Sequence, residues 1–264
     1  MNNPIWMHQL FAIFKREMRT KMSYRMTMVT SSLSIVAGLV AFGFLGNTSV
    51  VSVTTSAYGM SLSSFLVSGV AFAPIITNGL GLFSGYLYPS QIEAVMTTPT
   101  GFRQYLMFSA VLPISTSIAS AILSFTAGVL LFGLSYSYNV PALILVILLG
   151  LGTSVGLGFL GSALQLVYKQ TSVLSWLLYA FTGIAGNMLV PTQVLPGTIQ
   201  DMSLLTPQYY FFTGIRAALG SNVAPLATIL VLFGMYAVSL NVCGYFALAR
   251  SLKYLRQNGT YTWS

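Results

Sequence analysis

Long apolar blocks alternate with short polar gaps along this chain. A helix that crosses a bilayer needs about 20 predominantly apolar residues. Six blocks meet that length: 26–46, 60–83, 104–134, 141–167, 171–190 and 224–249. The third and fourth run long, which predicts tilt or bending. Pro74 and Pro113 are the expected kink positions. The reading is an all-α membrane protein, a single transmembrane domain over 1–264 with six transmembrane helices.

Residues 1–25 have a different pattern. Pro4 suits a first helical position and Asn3 an N-cap. Met7, Leu10, Phe11, Phe14 and Met18 recur at helical spacing, with His8, Lys15 and Arg19 opposite. Such a helix lies in the interface plane, apolar face down and basic face toward headgroups. It anchors the chain and can also touch a partner. The block at 26–46 is too long for the apolar core of a cleaved signal, about 7–15 residues. It is expected to stay as an anchor.

Two gaps stand out. The first, 84–103, contains the start of QIEAVMTTPTGFRQYL at 91–106, including Glu93, one of three acidic residues in the chain. The second, 191–223, holds two apolar half-segments punctuated by Pro191, Pro196 and Pro207. Neither half is long enough to span. Tyr209, Tyr210, Phe211 and Phe212 suit a membrane interface, where amphipathic rings settle. Bare loop backbone cannot sit unsatisfied in hydrocarbon. The expectation is therefore two short helices that dip in from the outer face and return; the alternative is a surface-lying loop with an aromatic belt. In the fourth block Gly150, Ser154, Gly158 and Ser162 repeat every four residues, with Gly152 and Gly156 beside them. Small residues at that spacing let backbones approach closely, either within one bundle or at a substrate-lining or subunit contact.

Composition agrees. The chain is 55% hydrophobic and 5% charged, with a mean hydropathy of +0.80. Soluble domains carry about 25% charged residues, so lipid is the main solvent. The net charge of +8 does not make a nucleic-acid patch. With six spans, ten of the 11 Lys and Arg residues collect on the side of the two termini, and only Arg216 lies opposite. That asymmetry predicts cytoplasmic termini. Arg216 is expected to pair with Asp201 or with headgroups at the outer interface. Cys243 is the single cysteine, so no intrachain disulfide forms.

Candidate chemistry is sparse. Glu17, Glu93 and Asp201 all fall outside the predicted spans, and His8 has no ligand-forming neighbour. Catalytic, metal and cofactor sites are not expected on this chain. Ion-coupled carriers usually use intramembrane ionisable groups, and no phosphate-binding G-x-x-x-x-G-K-[ST] motif occurs. Energy for uphill transport would have to come from another polypeptide.

These features together resemble a known family. A basic amphipathic helix precedes six spans. Between spans two and three stands Glu93, then the apolar pair Val95 and Met96, then Thr98 and Pro99. Before the last span come Pro191, Leu195 with Pro196, Pro207 and Arg216. The set is similar to the permease subunits of ABC type-2 exporters, which move drugs, polysaccharides, lipids or ions outward. The resemblance covers nearly the whole chain. It implies that Gln91, Ile92, Glu93, Val95, Met96, Thr98 and Pro99 form a coupling helix that docks into a groove on a separate ATPase subunit. Ser90 can cap such a helix, Glu93 suits its first turn, and Pro99 stops it. Phe11, Phe14, Lys15 and Arg19 belong to the interfacial helix, and Pro191, Pro196, Pro207, Tyr209, Tyr210 and Arg216 to the outer hairpin. The resemblance further implies two nucleotide-binding subunits carrying ATP and Mg, a second permease chain (identical or homologous), and a prokaryotic plasma membrane. A stand-alone carrier or channel, or a non-transporting scaffold, are the competing readings.

Overall fold

The computed structural model describes residues 5–23, 25–47, 58–87, 102–168, 172–221 and 225–258. All its regular structure is helical, with no strand among the described residues. The helices are α1 (Ile5–Ser23), α2 (Arg25–Asn47), α3 (Leu62–Thr77), α4 (Phe102–Ser109), α5 (Val111–Phe132), α6 (Val140–Tyr168), α7 (Ser172–Ile184), α8 (Gly197–Leu204), α9 (Pro207–Ala218) and α10 (Leu226–Asn258). Short 3₁₀ turns lie at Ser84–Tyr86 and Thr192–Val194.

Among the described residues, three stretches are long and apolar enough to cross a bilayer: Gln104–Phe132, Val140–Tyr168 and Leu226–Leu255. Their outward faces are apolar too; Leu130 is 83% exposed and Val238 66%. Water would not tolerate so much outward-facing hydrocarbon on helices of this length. The chain is an all-α membrane protein.

Two predicted spans are shorter as helices than as apolar blocks. In 60–83, α3 ends at Thr77, and the chain continues in tight turns through Gly79 N–H to Ile76 O (3.2 Å) and Leu82 N–H to Gly79 O (3.1 Å). Asn78, Gly79 and Gly81 disfavour continued helix there. In 171–190, α7 ends at Ile184. Ala185 N–H bonds Phe181 O at 2.8 Å and Gly186 N–H bonds Thr182 O at 3.1 Å, after which Asn187 turns left-handed at φ 60°. Asparagine tolerates that conformation better than most residues. Near Pro113, the other expected kink position, α4 gives way to α5 at Ala110, which keeps right-handed helical dihedrals. The proline lacks an N–H and its ring crowds the carbonyl four residues back, at Ser109. Hydrogen bonds continue across the junction, from Ala110 N–H to Leu106 O and from Ile114 N–H to Ala110 O, both 3.0 Å. Pro74 sits inside α3, which continues past it.

The central helix is α6. Its small residues pack inside this one chain. Gly156 lies against the backbone of Asn241 in α10, whose Nδ2 donates to Gly152 O at 2.8 Å. On the opposite side Gly150 meets Phe211 and Ile75, and Gly158 meets Phe83. The Ser154 hydroxyl donates to Ile75 O, and Gly161 seats the carbonyl of Leu80. A methyl group at Gly161 would lie 2.0 Å from that carbonyl oxygen, whereas one at Gly152 would meet nothing within 4 Å. Gly161→Ala is therefore expected to destabilise by about 1–3 kcal/mol through overpacking. Gly152→Ala should be neutral or slightly stabilising, because alanine is the better helix former. Melting curves of the solubilised protein compare the two. Equal effects would mean that α6 does not pack as described.

Two buried clusters mark the two ends. One joins Leu82, Phe83, Leu87, Phe102, Tyr105 and Leu106 to Leu248, Leu252 and Leu255 of α10, with Ile13 of α1 against it. The other joins Phe72, Ile76 and Val146 to Phe211, Phe212, Ile215 and Phe233. We call these the α1 end and the far end.

Candidate functional site

At the α1 end the chain departs from Leu87 and returns at Phe102. Both residues are buried in the same cluster, Leu87 at 1% exposure and Phe102 at 7%. The predicted coupling residues Gln91, Ile92, Glu93, Val95, Met96, Thr98 and Pro99 lie between them, outside the described residues. Their two anchor points are thus fixed to each other and to α10. Phe83 stacks on Phe159 of α6 at 5.5 Å and 17°, which ties the same cluster to the central helix.

Helix α1 clasps both anchors. Leu10, Ile13, Phe14 and Glu17 form its inward stripe, while Phe11, Lys15, Met18 and Arg19 are exposed. The apolar face expected from spacing is therefore divided: Phe14 turns to the protein and Phe11 away from it. Glu17 falls on the stripe at i+4 from Ile13 and i+7 from Leu10, a position that its charge alone would assign to solvent. Arg16 Nη2 donates to Glu17 Oε1 at 2.9 Å and to the Tyr105 hydroxyl at 3.0 Å. That hydrogen bond to Glu17 raises the Arg16 pKa, against the effect of burial. Burial pushes the Tyr86 phenol well up, and the neighbouring Glu17 carboxylate pushes it the same way. Tyr86 therefore stays neutral and keeps its proton to donate. Tyr86 and Tyr105 meet edge to face at 6.3 Å. One polar knot thus links α1 to both flanks of the 88–101 stretch.

Beside this knot lies a cavity of about 660 Å³ between α1, the end of α3, the start of α5 and α7. Glu17, Thr77, Asn78, Ser117 and Ser175 supply its polar wall, and Tyr86, Trp176 and Tyr179 its aromatic wall. A second cavity of about 610 Å³ runs along the other face of α7 and is almost wholly apolar, lined by Leu177, Phe181, Ile184 and Met202 among others.

At the far end the expectation for Arg216 is corrected. It does not pair with Asp201, which is exposed on α8, nor does it reach headgroups. Arg216 is 1% exposed. Its Nη1 donates to Asn187 O, and its Nη2 to Met188 O at 2.8 Å and to Phe65 O at 3.0 Å. The guanidinium lies 3.4 Å from the centre of the Phe65 ring. Physically, the end of α7 leaves buried carbonyls with no N–H partner, and a cation with a planar fork of donors satisfies them. Non-helical backbone at membrane depth is tolerated only where protein covers it in this way. Asn187 extends the knot: Tyr58 donates to its Oδ1 and its Nδ2 donates to Thr213, both at 3.0 Å. Gly69 is required here, since a Cβ would lie 2.2 Å from Met188 O.

The hairpin residues divide. Pro191 is buried ahead of the 3₁₀ turn, Pro196 is the exposed N-cap of α8, and Pro207 opens α9. Tyr210 donates to Leu204 O at 2.8 Å and lies 5.2 Å from Tyr236, while Tyr209 is half-buried. Phe211 and Phe212 are not part of an exposed aromatic belt. They are fully buried, because α9 turns that face onto Val146 and Phe233. Asn187 and Tyr58 were legible only as polar groups at the margins of apolar blocks. The carbonyls that hold Arg216 leave no mark in a residue pattern.

No known protein family matches the chain, and no curated protein matches its sequence.

Proposed function

We propose that the chain is the transmembrane permease subunit of an ATP-driven exporter of the ABC type-2 kind, and not itself an enzyme. The observation that carries the reading is the anchorage of the 88–101 stretch. Leu87 and Phe102 are buried together with α10, Ile13 of α1 packs against their cluster, and Arg16 bonds Tyr105 within it. A segment whose two flanks are held in one packed cluster can pass on a push, because packed interiors shift as bodies rather than yielding. In this reading 91–98 is a coupling helix against a separate nucleotide-binding subunit. Two such subunits, holding ATP and Mg, work with two permease chains in a prokaryotic plasma membrane.

Helix α3 is then the lever. Its near end runs through the turns at 78–86 into Leu87, and its far end is held by Arg216 at Phe65 O and by the fit of Gly69 to Met188. Closure of the ATPases would tilt α3 and move the far-end hairpin with it. In the same reading the chain crosses six times with both termini cytoplasmic, and α8 and α9 form the re-entrant outer hairpin.

The test is copurification. A tagged chain extracted in mild detergent is expected to bring down a P-loop ATPase, and vesicles holding both are expected to move substrate only with ATP. Gradient-driven transport by the purified chain alone would replace this reading with a stand-alone carrier. A complex without vectorial movement would replace it with a scaffold.

A further inference from the structure

The cavity at the α1 end has a chemical character that the coupling role of its neighbours does not require. The chain carries a net charge of +8 and three acids, yet one of those acids, Glu17, is turned inward to the cavity wall. Its side chain is 14% exposed, against 57% for Arg16. Trp176 and Tyr179, both more than half exposed, bring two more aromatic rings beside Tyr86. A carboxylate has about four acceptor positions; Arg16 takes one, on Oε1. Aromatic faces around a carboxylate are a recognition chemistry for organic cations. The volume suits a drug-sized molecule, and the groove on the other side of α7 is almost wholly apolar.

We infer that this cavity binds an amphiphilic organic cation, with Glu17 as counter-ion and Tyr86, Trp176 and Tyr179 as the ring wall. As a substrate class for export, the inference rests on the permease reading; as a binding site it does not. Arg16 is the built-in competitor. It occupies Glu17 when the cavity is empty of ligand, and an incoming cation displaces it toward solvent and toward Tyr105, which it already contacts at 3.0 Å. The two neighbours of this ion pair therefore have opposite roles. Removing the Glu17 charge weakens binding, and removing the Arg16 charge strengthens it.

The experiment is saturation binding of tritiated tetraphenylphosphonium to the full chain in nanodiscs, without ATPase or nucleotide. Wild type is expected to bind saturably. Glu17→Gln, which keeps the shape and a hydrogen-bonding group, should lose about tenfold or more in affinity, and Arg16→Gln should gain several-fold. Ser117→Phe, which fills the cavity and leaves the ion pair alone, should abolish binding. Absence of saturable binding in wild type, unchanged affinity in Glu17→Gln, or a parallel loss in Glu17→Gln and Arg16→Gln would each overturn the site; the last outcome is what a merely structural ion pair predicts. The source of the cation is read by lipid: competition by phosphatidylethanolamine discs but not phosphatidylglycerol discs assigns it to lipid headgroups, and equal binding in both assigns it to free cations. Cation binding by a chain that never recruits an ATPase sinks the exporter reading and leaves the site. ATP-driven export by a chain that binds no cation does the reverse.

Discussion

Arg216→Ala is expected to lower the stability of the solubilised protein by about 3–5 kcal/mol, the range for stripping one partner from a buried charged network. Two buried carbonyls, at Asn187 and Met188, would lose their donor at once, and Phe65 O would lose one of two, keeping the Ser68 hydroxyl at 2.9 Å. Each orphaned acceptor costs about 1–3 kcal/mol, and the cavity left beside the Phe65 ring adds to the loss. In a chain of this size the melting temperature should fall by roughly 10 °C. Arg216→Lys is the sharper experiment. Lysine keeps the charge, but it has no planar fork to reach three carbonyls and stacks poorly on a ring. It should behave nearly as badly as alanine. A lysine variant that melts with wild type would show that charge alone is needed there and would remove the clasp from the account.

The second large effect is functional. Replacing Val95 and Met96 together with serine should cut substrate-stimulated ATPase activity of the assembled complex about tenfold or more. Each apolar side chain buried at a docking surface contributes about 1.5–3 kcal/mol, and about 1.4 kcal/mol is a factor of ten in affinity. Glu93→Ala should act the same way with a smaller effect. Melting of the isolated chain should not change if the two side chains serve only to dock a partner. Wild-type ATPase stimulation in the double variant would remove 91–98 from the coupling role. A drop in melting temperature with full stimulation would make the stretch structural.

The helical class and the existence of most helices could be read from the chain, because apolar length is a direct consequence of what lipid will accept. Where the helices stop could not be read from hydropathy. The blocks at 60–83 and 171–190 are apolar to their ends, yet α3 and α7 terminate early. The decisive signals are local ones, Asn78 with Gly79 and Gly81, and Gly186 with Asn187. The inward turn of Glu17 needed the helical register of Leu10 and Ile13 to outweigh the usual preference of a carboxylate for water. Arg216 was misread for a different reason. Sequence reasoning looks for a side-chain partner of opposite sign and finds Asp201, whereas the groups that need a cation are main-chain oxygens exposed by an unwound helix end. The two cavities depend on how α7 stands beside α3, and no spacing rule reports that.

The Arg216 clasp also bears on how the protein is made. Phe65 and Arg216 are 151 positions apart, so Phe65 emerges from the ribosome and enters the translocation machinery long before its partner exists. Contacts so distant in sequence form late. Until α9 is synthesised, Phe65 O has only its local donor from Ser68, and the two carbonyls after α7, at Asn187 and Met188, lack the guanidinium that binds them. A nascent chain interrupted before residue 216 would therefore present an unfinished membrane domain to quality-control proteases, and synthesis of α9 is the step that closes the clasp.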